Sequence, residues 1–288
     1  MPDILPGMAG LASRYDAFIL DLWGVIHDGT KPYPGAADTL ARLKEMGKAT
    51  VLLSNAPRRT GALIEAMTKM GIGRDLYGAV MSSGEAMYLE LKSRANPDFA
   101  RLGRRLYYLG PDRDRNVYEG LDYKDSPLED ADFVLNTGPV DFSDSVADYE
   151  DVLRRAARRS LPMLCANPDI TVIRLGDPVV CAGALAQRYR ELGGQVIERG
   201  KPDPAIYPTC LDALDLKPGQ KALAIGDGLH TDIQGANAAD IDSALVVGGI
   251  HLSELGMAWG EMPDAKGVVK LLSSHKGRPR FILPAFVW

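Results

Sequence analysis

The segment Ala17–Gly24 reads AFILDLWG, in which four apolar residues end at Asp21 and a glycine follows shortly after. This pattern is typical of a buried strand that stops at a turn. An amphipathic segment, Pro34–Met46, leads to a second apolar run at Ala49–Leu53 and then to a second amphipathic segment at Arg58–Met70. Strand, helix, strand and helix with short connections predict a parallel α/β sheet with helices outside it.

The same alternation returns in the C-terminal part of the chain, after a long middle section with strands of its own. The C-terminal predictions are helices at Ala182–Leu192, Pro204–Leu214 and Ile233–Ala238 and strands at Gln195–Ile197, Ala222–Ile225 and Ala244–Val247. The middle section has predicted strands at Leu106–Leu109, Phe133–Leu135, Met163–Cys165 and Val172–Arg174. We therefore predict a discontinuous α/β core of residues 1–82 and 183–288, interrupted by an inserted α/β domain of residues 83–182.

Composition excludes several classes of protein. Of the 288 residues, 46% are hydrophobic and 25% are charged, as in globular proteins, which excludes disordered and fibrous chains. The net charge of −5 gives no bulk attraction for nucleic acid or anionic membranes, so we expect neither as a partner. Cys165, Cys181 and Cys210 are odd in number and widely spaced, which predicts small core residues rather than disulfides or a zinc site. With no secretory signal and no long apolar run, the expected location is cytoplasmic.

Polar residues follow the predicted core strands at the point where each strand ends. They are Asp21, Ser54-Asn55, the Gly200-Lys201-Pro202 segment, and Asp227 and Asp232 after the Ala222–Ile225 strand. In open α/β sheets, ligands bind beyond the carboxyl ends of the strands. Two carboxylates, a hydroxyl and a lysine gathered there can hold a divalent cation and a phosphate, and Mg²⁺ prefers such oxygen ligands.

These residues occur in four ordered motifs: DLWGV at 21–25, SN at 54–55, GKPDP at 200–204 and GDGLHTDIQGA at 226–236. In these motifs the chain resembles the haloacid dehalogenase-like (HAD) hydrolase superfamily. The resemblance is to its class IIA, NagD-like subgroup, which includes phosphoglycolate and pyridoxal phosphatases and carries a large α/β cap between the second and third motifs. It implies a Rossmann-like core, an inserted cap domain, and phosphatase activity on a small phosphorylated metabolite such as a sugar phosphate or a nucleotide monophosphate.

The resemblance also implies roles for the acidic residues. Asp21 matches the nucleophile that attacks phosphorus and forms an aspartyl-phosphate, which splits one difficult displacement into two easier ones. Asp21, Asp227 and the backbone carbonyl of Trp23 match the Mg²⁺ ligands of the family. Asp232 is expected to support the ion from behind these ligands or through water.

The resemblance places further residues on the substrate. Ser54 matches the hydroxyl that hydrogen-bonds a phosphate oxygen, and Lys201 matches the lysine that neutralises charge on the phosphoryl group and on Asp21, so both are expected to be catalytic. The other expected substrate contacts follow the second motif or lie where the cap returns to the core: Asn55, Arg58, Asn167 and Asp169. The sequence leaves a homo-oligomer open.

Trp23 departs from the family pattern, because typical phosphatases of this family carry a second aspartate there. That aspartate protonates the leaving oxygen and then activates water, and losing such a group costs about 10²–10⁴ in rate. Three functions remain open. The chain could be a phosphohydrolase in which another group or the substrate supplies the proton, or in which an acidic leaving group needs none. It could instead catalyse a HAD reaction that needs no acid there, as in phosphonate-cleaving members, or be a non-catalytic metal- and phosphate-binding protein. His27 is a candidate for the proton transfer, with simple packing as the alternative. Retention of Asp21, Lys201 and Asp227 favours catalysis.

Two other features complete the sequence-based predictions. His230 and His251 are predicted to be loop residues rather than ligands. The tail Phe281–Trp288 reads FILPAFVW, which is strongly apolar, so we expect it to dock on the core or to form a subunit contact.

Overall fold

The computed structural model describes all 288 residues. Its strands are β1 (Asp3–Ile4), β2 (Ala17–Leu20), β3 (Ala49–Ser54), β4 (Ala79–Ser82), β5 (Arg105–Leu109), β6 (Lys124–Asp125), β7 (Phe133–Asn136), β8 (Met163–Cys165), β9 (Thr171–Arg174), β10 (Asp177–Val180), β11 (Val196–Glu198), β12 (Ala222–Gly226), β13 (Asp242–Val246) and β14 (Phe281–Leu283). Its α-helices are α1 (Ala9–Ala12), α2 (Ala36–Glu45), α3 (Thr60–Lys69), α4 (Ser83–Ser93), α5 (Pro97–Ala100), α6 (Glu150–Arg158), α7 (Ala182–Glu191), α8 (Tyr207–Leu214), α9 (Gln234–Ala238), α10 (Leu252–Leu255) and α11 (Ala265–Ser273).

The core is a seven-stranded parallel sheet with the strand order β1-β14-β13-β12-β2-β3-β4. Strand β2, in the interior of this sheet, is buried at all four positions, because helices cover both faces of the sheet. Leu40 of α2 and Leu63 of α3 pack on one face, and Tyr207 and Cys210 of α8 pack on the other. The parallel α/β core predicted from the alternation of strands and helices is therefore confirmed, and it is Rossmann-like, as the resemblance implies.

The inserted domain has a second parallel sheet, with the order β11-β8-β7-β5-β6, and helices on both of its faces. Met87 and Leu91 of α4 pack on one side of this sheet, and Leu185 and Tyr189 of α7 pack on the other. A separate antiparallel hairpin, β9–β10, follows β8.

The predicted C-terminal boundary of the inserted domain, at residue 182, is wrong. Helix α7 packs on the second sheet, and β11 extends that sheet by pairing with β8 from Val196↔Met163 to Glu198↔Cys165. The chain therefore returns to the core only after Glu198. The apolar faces of α7 and β11 have the same periodicity in either domain, so the sequence pattern alone did not show which sheet they join.

The apolar tail docks on the core of its own chain. Phe281–Leu283 forms strand β14, inserted between β1 and β13, and Phe286 is buried. The docking predicted from the apolar tail is confirmed. The three cysteines are free and buried, as predicted for small core residues. Among the helices, none combines the length and the apolar character needed to cross a bilayer.

Candidate active site

Three of the predicted site residues lie at the carboxyl ends of adjacent core strands. Asp21 directly follows β2, and its backbone N–H donates to the Ile225 carbonyl of β12 at 2.8 Å. Ser54 is the last residue of β3, and Asp227 directly follows β12. Because β12, β2 and β3 are neighbours in the sheet, the three side chains meet at one edge.

Lys201 joins the acidic residues from the side. Its Nζ donates to Asp21 Oδ1 and to Asp232 Oδ1, both at 2.6 Å, and to the Leu53 carbonyl at 3.2 Å. Only 2% of its surface is exposed. A buried ammonium is stable only when its three protons are satisfied, and these three acceptors satisfy them. The bond to Oδ1 of Asp21 leaves the other carboxylate oxygen free to act as a nucleophile.

Asn55 fixes the loop that carries Lys201. Its Oδ1 accepts the Lys201 backbone N–H at 2.8 Å, and its Nδ2 donates to the Lys201 carbonyl at 2.9 Å. The same amide nitrogen donates to Asp169 Oδ1 of the inserted domain at 2.8 Å. Asn55 therefore positions Lys201 and links the core to the inserted domain, a role that the sequence did not assign to it.

The carboxylates of Asp21, Asp227 and Asp232 form one cluster, with one oxygen of each within 4.8 Å of the others. The backbone approaches Asp227 closely on two sides. A Cβ on Gly24 would lie 1.9 Å from Asp227 Oδ2, and a Cβ on Gly249 would lie 2.1 Å from the same atom. Gly24 also has φ = +86°, so both its space and its conformation require glycine.

Burial and mutual repulsion raise the pKa values of these carboxyl groups. Burial, and then the Asp232 charge, raise the pKa of Asp227 to about 7. The same two causes raise the pKa of Asp21 well above its usual value, although Lys201 opposes the shift. Burial lowers the pKa of Lys201, but the charges of Asp21 and Asp232 raise it well above its usual value, so the lysine is charged. Three carboxyl groups share one ammonium, so full ionisation of the cluster calls for further positive charge.

The donor set fits a magnesium ion. Clustered carboxylate oxygens at the mouth of a sheet are the ligands that Mg²⁺ prefers, and a divalent cation would stabilise the ionised form of these carboxyl groups. Asp21, Asp227 and Asp232 all line the cavity, and Asp232 is also held by the Gly228 N–H at 3.1 Å and by Lys201. Trp23 lies two residues after Asp21 in the same loop and lines the same cavity.

A cavity of about 740 Å³ opens over this cluster, and Asp21, Ser54, Asn55, Lys201 and Asp227 line it. This volume is in the range of small-molecule sites. The cavity is covered by the β9–β10 hairpin of the inserted domain, which contributes mainly apolar side chains and backbone: Ile170, Thr171, Val172, Ile173, Leu175 and Gly176.

Trp23 connects the loop after β2 to the β9–β10 hairpin. Its indole Nε1 donates to the Ile173 carbonyl at 2.7 Å, and the residue paired with Ile173 in the hairpin is Pro178, which has no N–H. The indole ring also packs against Gly29, where a Cβ would lie 2.2 Å from it, and edge-on against His27. Trp23 stands where the family has its acid–base aspartate, and in this chain it makes a hydrogen bond between the core and the inserted domain.

Three of the residues considered from the sequence do not reach this cavity. Arg58 donates to Asp114 of the inserted domain at 2.8 Å, and Arg58 and Asn167 line a separate cavity of about 380 Å³. His27 lines that smaller cavity as well, and burial lowers its pKa to about 4. Its Nδ1 accepts the Gly29 N–H at 3.0 Å, so the structure places His27 in a packing role. Asp169 lines both cavities.

Sequence reasoning missed other residues that line the 740 Å³ cavity. Tyr33 and Trp259 stack with their ring centroids 5.7 Å apart and form part of its wall. They come from loops far apart in the chain, and no motif marks either of them. Only the apolar character of the hairpin segment was visible in the sequence, where Val172–Arg174 was predicted as a strand.

Two family models match parts of this chain. Residues 18–124 match the family model described as haloacid dehalogenase-like hydrolase, and residues 198–273 match the model described as HAD-hydrolase-like. A haloacid dehalogenase-like family hydrolase from Brucella suis 1330 is 32% identical, with a TM-score of 0.83 and 100% of both chains covered.

Two further relatives carry functional names. Ribonucleotide monophosphatase NagD from Escherichia coli is 25% identical over 241 residues, which are 81% of this chain and 87% of that protein. The structure of glycerol phosphate phosphatase from Mycobacterium tuberculosis in complex with magnesium has a TM-score of 0.63 at 23% identity, covering 83% of this chain and 70% of that one.

Proposed function

Because this chain belongs to the haloacid dehalogenase-like hydrolase superfamily, in its class IIA NagD-like subgroup, we propose that it is a Mg²⁺-dependent phosphatase of a small phosphorylated metabolite. The substrate class is a sugar phosphate or a nucleotide monophosphate, and the reaction passes through an aspartyl-phosphate on Asp21. One observation carries the proposal: Asp21, Asp227 and Asp232 cluster beside the buried Lys201 at the base of a 740 Å³ cavity. The phosphatase names of the relatives support it.

In this proposal Asp21 and Asp227 hold the ion through their carboxylates, the Trp23 carbonyl adds a ligand, and Asp232 supports them from behind. The magnesium complex of the mycobacterial relative supports the choice of ion. Bound Mg²⁺ would withdraw charge from the phosphoryl oxygens and keep Asp21 ionised.

The first chemical step belongs to Asp21. Lys201 holds Oδ1 at 2.6 Å, so the second oxygen attacks phosphorus while the bond from phosphorus to the ester oxygen breaks. Lys201 and the Ser54 hydroxyl stabilise the charge that develops on the phosphoryl oxygens. In the second step, water attacks phosphorus, the bond to Asp21 breaks, and inorganic phosphate leaves.

The departing oxygen needs a proton unless its conjugate acid is already strong. The Trp23 indole cannot supply it, because its single N–H donates to the Ile173 carbonyl and does not ionise in water. In our proposal the proton comes from the substrate or from solvent. Substrates with acidic leaving groups should therefore turn over fastest.

The test is a panel of phosphomonoesters assayed for phosphate release, with Mg²⁺ and with a chelator, on the wild-type protein and on Asp21→Asn. We expect metal-dependent release from at least one substrate and a loss of release to background in Asp21→Asn. Asp38→Asn, an exposed aspartate that pairs with Arg42, is the matched control and should keep full activity.

Two results would contradict the proposal. A silent panel, with ligand binding still detected by thermal shift, would make the chain a metal- and phosphate-binding protein without turnover. Cleavage of phosphonates but not of phosphomonoesters would assign it a HAD reaction of another type.

A further inference from the structure

Three of the four histidines of the chain meet at one place beside the cavity. His230 lies in the turn after β12, His251 directly precedes α10, and His275 follows α11. The ring centroids of His230 and His275 are 4.7 Å apart, and those of His251 and His275 are 5.2 Å apart. Three separate segments thus bring imidazoles together, although the sequence predicted His230 and His251 to be ordinary loop residues.

Two of these histidines and a nearby glutamate have the donor-atom spacing of a metal site. One ligand atom from each of His251, Glu254 and His275 lies within 4.8 Å of the others. His251 Nδ1 is 3.3 Å from Glu254 Oε2. His275 Nδ1 lies 2.8 Å from the Leu271 carbonyl, which orients that ring and leaves its Nε2 free. Metal-binding histidines use this arrangement, in which the second ring nitrogen donates to a carbonyl or a carboxylate.

His251 can present its Nδ1, which lies beside Glu254, to an ion. His251 is buried, and burial together with the nearby His275 lowers its pKa, although Glu254 opposes the shift. Imidazole binds metals in its neutral form, which burial favours. The Nε2 of His251 accepts the Leu229 N–H at 3.4 Å, so an ion on Nδ1 would shift the ring proton to Nε2 and displace this N–H, a cost that the binding energy of the ion must offset.

We propose that His251, Glu254 and His275 form a second metal site, for a transition-metal ion of the Zn²⁺ type, and that His230 packs beside it. Imidazole nitrogens with one carboxylate suit Zn²⁺, whereas Mg²⁺ prefers oxygen ligands alone. The chemistry of the donors therefore separates this site from the carboxylate cluster around Asp21.

The position of the site gives it a structural role. The Ile250 N–H, one residue before His251, donates to Asp227 Oδ2 at 2.8 Å. His230 lies in the segment that connects Asp227 to Asp232. An ion that joins these loops to α11 would fix the backbone around two of the catalytic carboxylates.

The test uses the full chain, stripped of metal by a chelator and returned to buffer with excess MgCl₂, which fills the oxygen-ligand site. Zn²⁺ is titrated by calorimetry, and Co²⁺ is titrated with its visible absorption as the readout of nitrogen coordination. We expect one ion per chain, and an affinity at least about 10-fold weaker in His275→Gln. Glu254→Gln changes a half-exposed side chain and should weaken binding without affecting the fold.

His27→Gln is the matched control, because His27 is the one histidine outside this group and should leave Zn²⁺ binding unchanged. The proposal is overturned if the wild type binds no ion in excess Mg²⁺, or if His275→Gln and Glu254→Gln bind as tightly as the wild type. Binding that is lost in Asp227→Asn and kept in His275→Gln would place the ion at the catalytic carboxylates, which also overturns it. All readouts are metal binding, so failure of the phosphatase proposal would leave this test intact.

Discussion

The hydrogen bond from Trp23 Nε1 to the Ile173 carbonyl should hold the β9–β10 hairpin over the cavity. Trp23→Phe removes this bond and keeps an aromatic ring against Gly29 and His27. A hydrogen bond of this kind contributes about 0.5–1.5 kcal/mol net. Its loss should raise the open population of the hairpin by about 2- to 12-fold.

Hydrogen exchange followed by mass spectrometry measures the open population of the β9–β10 hairpin. Amides of residues 171–180 should exchange about 2- to 12-fold faster in Trp23→Phe, while amides of β12 and β13 keep their protection. Trp259→Phe is the control, because it makes the same change in the same cavity wall and keeps the stack with Tyr33. The reasoning fails if the hairpin exchanges at the wild-type rate in Trp23→Phe, or if Trp259→Phe accelerates it equally.

A second substitution of Trp23 distinguishes the effect of losing the hydrogen bond to Ile173 from the effect of lacking an acid–base group. Trp23→Asp also breaks the bond to Ile173, but it adds a carboxyl group where the family has one. Relative to Trp23→Phe, it should raise turnover of substrates with poor leaving groups and leave aryl phosphates nearly unchanged. Equal rates for the two variants on both substrate types would show that proton transfer does not limit turnover.

Three further predictions concern the buried site and its surroundings. Lys201→Met should lower the rate of phosphate release by about 10²–10³, measured at saturating Mg²⁺, and a smaller loss than tenfold would argue against its role. Gly24→Ala should abolish phosphate release, because the added Cβ displaces Asp227. Gly47→Ala is the control: Gly47 has φ = +68° and open space around it, so this substitution should lower only the stability. Equal rates of phosphate release in the two variants would refute the steric argument. Burial lowers the pKa of His27 from 6.5 to about 4 in the folded protein. As the pH falls, the unfolded chain therefore binds a proton at this histidine before the folded protein does. The free energy of unfolding should then fall by up to about 3 kcal/mol between pH 6.5 and pH 4. Denaturant unfolding should show a shallower pH dependence in His27→Gln; an unchanged slope would contradict it.

The sequence determined the parallel core and most of the residues of the candidate active site. Short apolar runs that end in Asp21, Ser54 and Asp227 predict neighbouring strand ends, because parallel strands of one sheet present their carboxyl ends at one edge. That periodicity is local, so one chain is enough to show it. Lys201 was found through its motif, and the structure gives it 2.6 Å bonds to Asp21 and Asp232.

Only the tertiary structure decided which segments meet across the cavity. Arg58 follows the second motif, yet its nearest acceptor is Asp114 in the inserted domain, and this ion pair directs it to the smaller cavity. The contact between Trp23 and Ile173 joins residues 150 positions apart, and the histidine group joins three loops. No local pattern records such pairs, because they depend on how the two domains and their loops pack. The sequence by itself specified the strands and the chemistry at their ends, and the packing of the cap on the core decided what surrounds that chemistry.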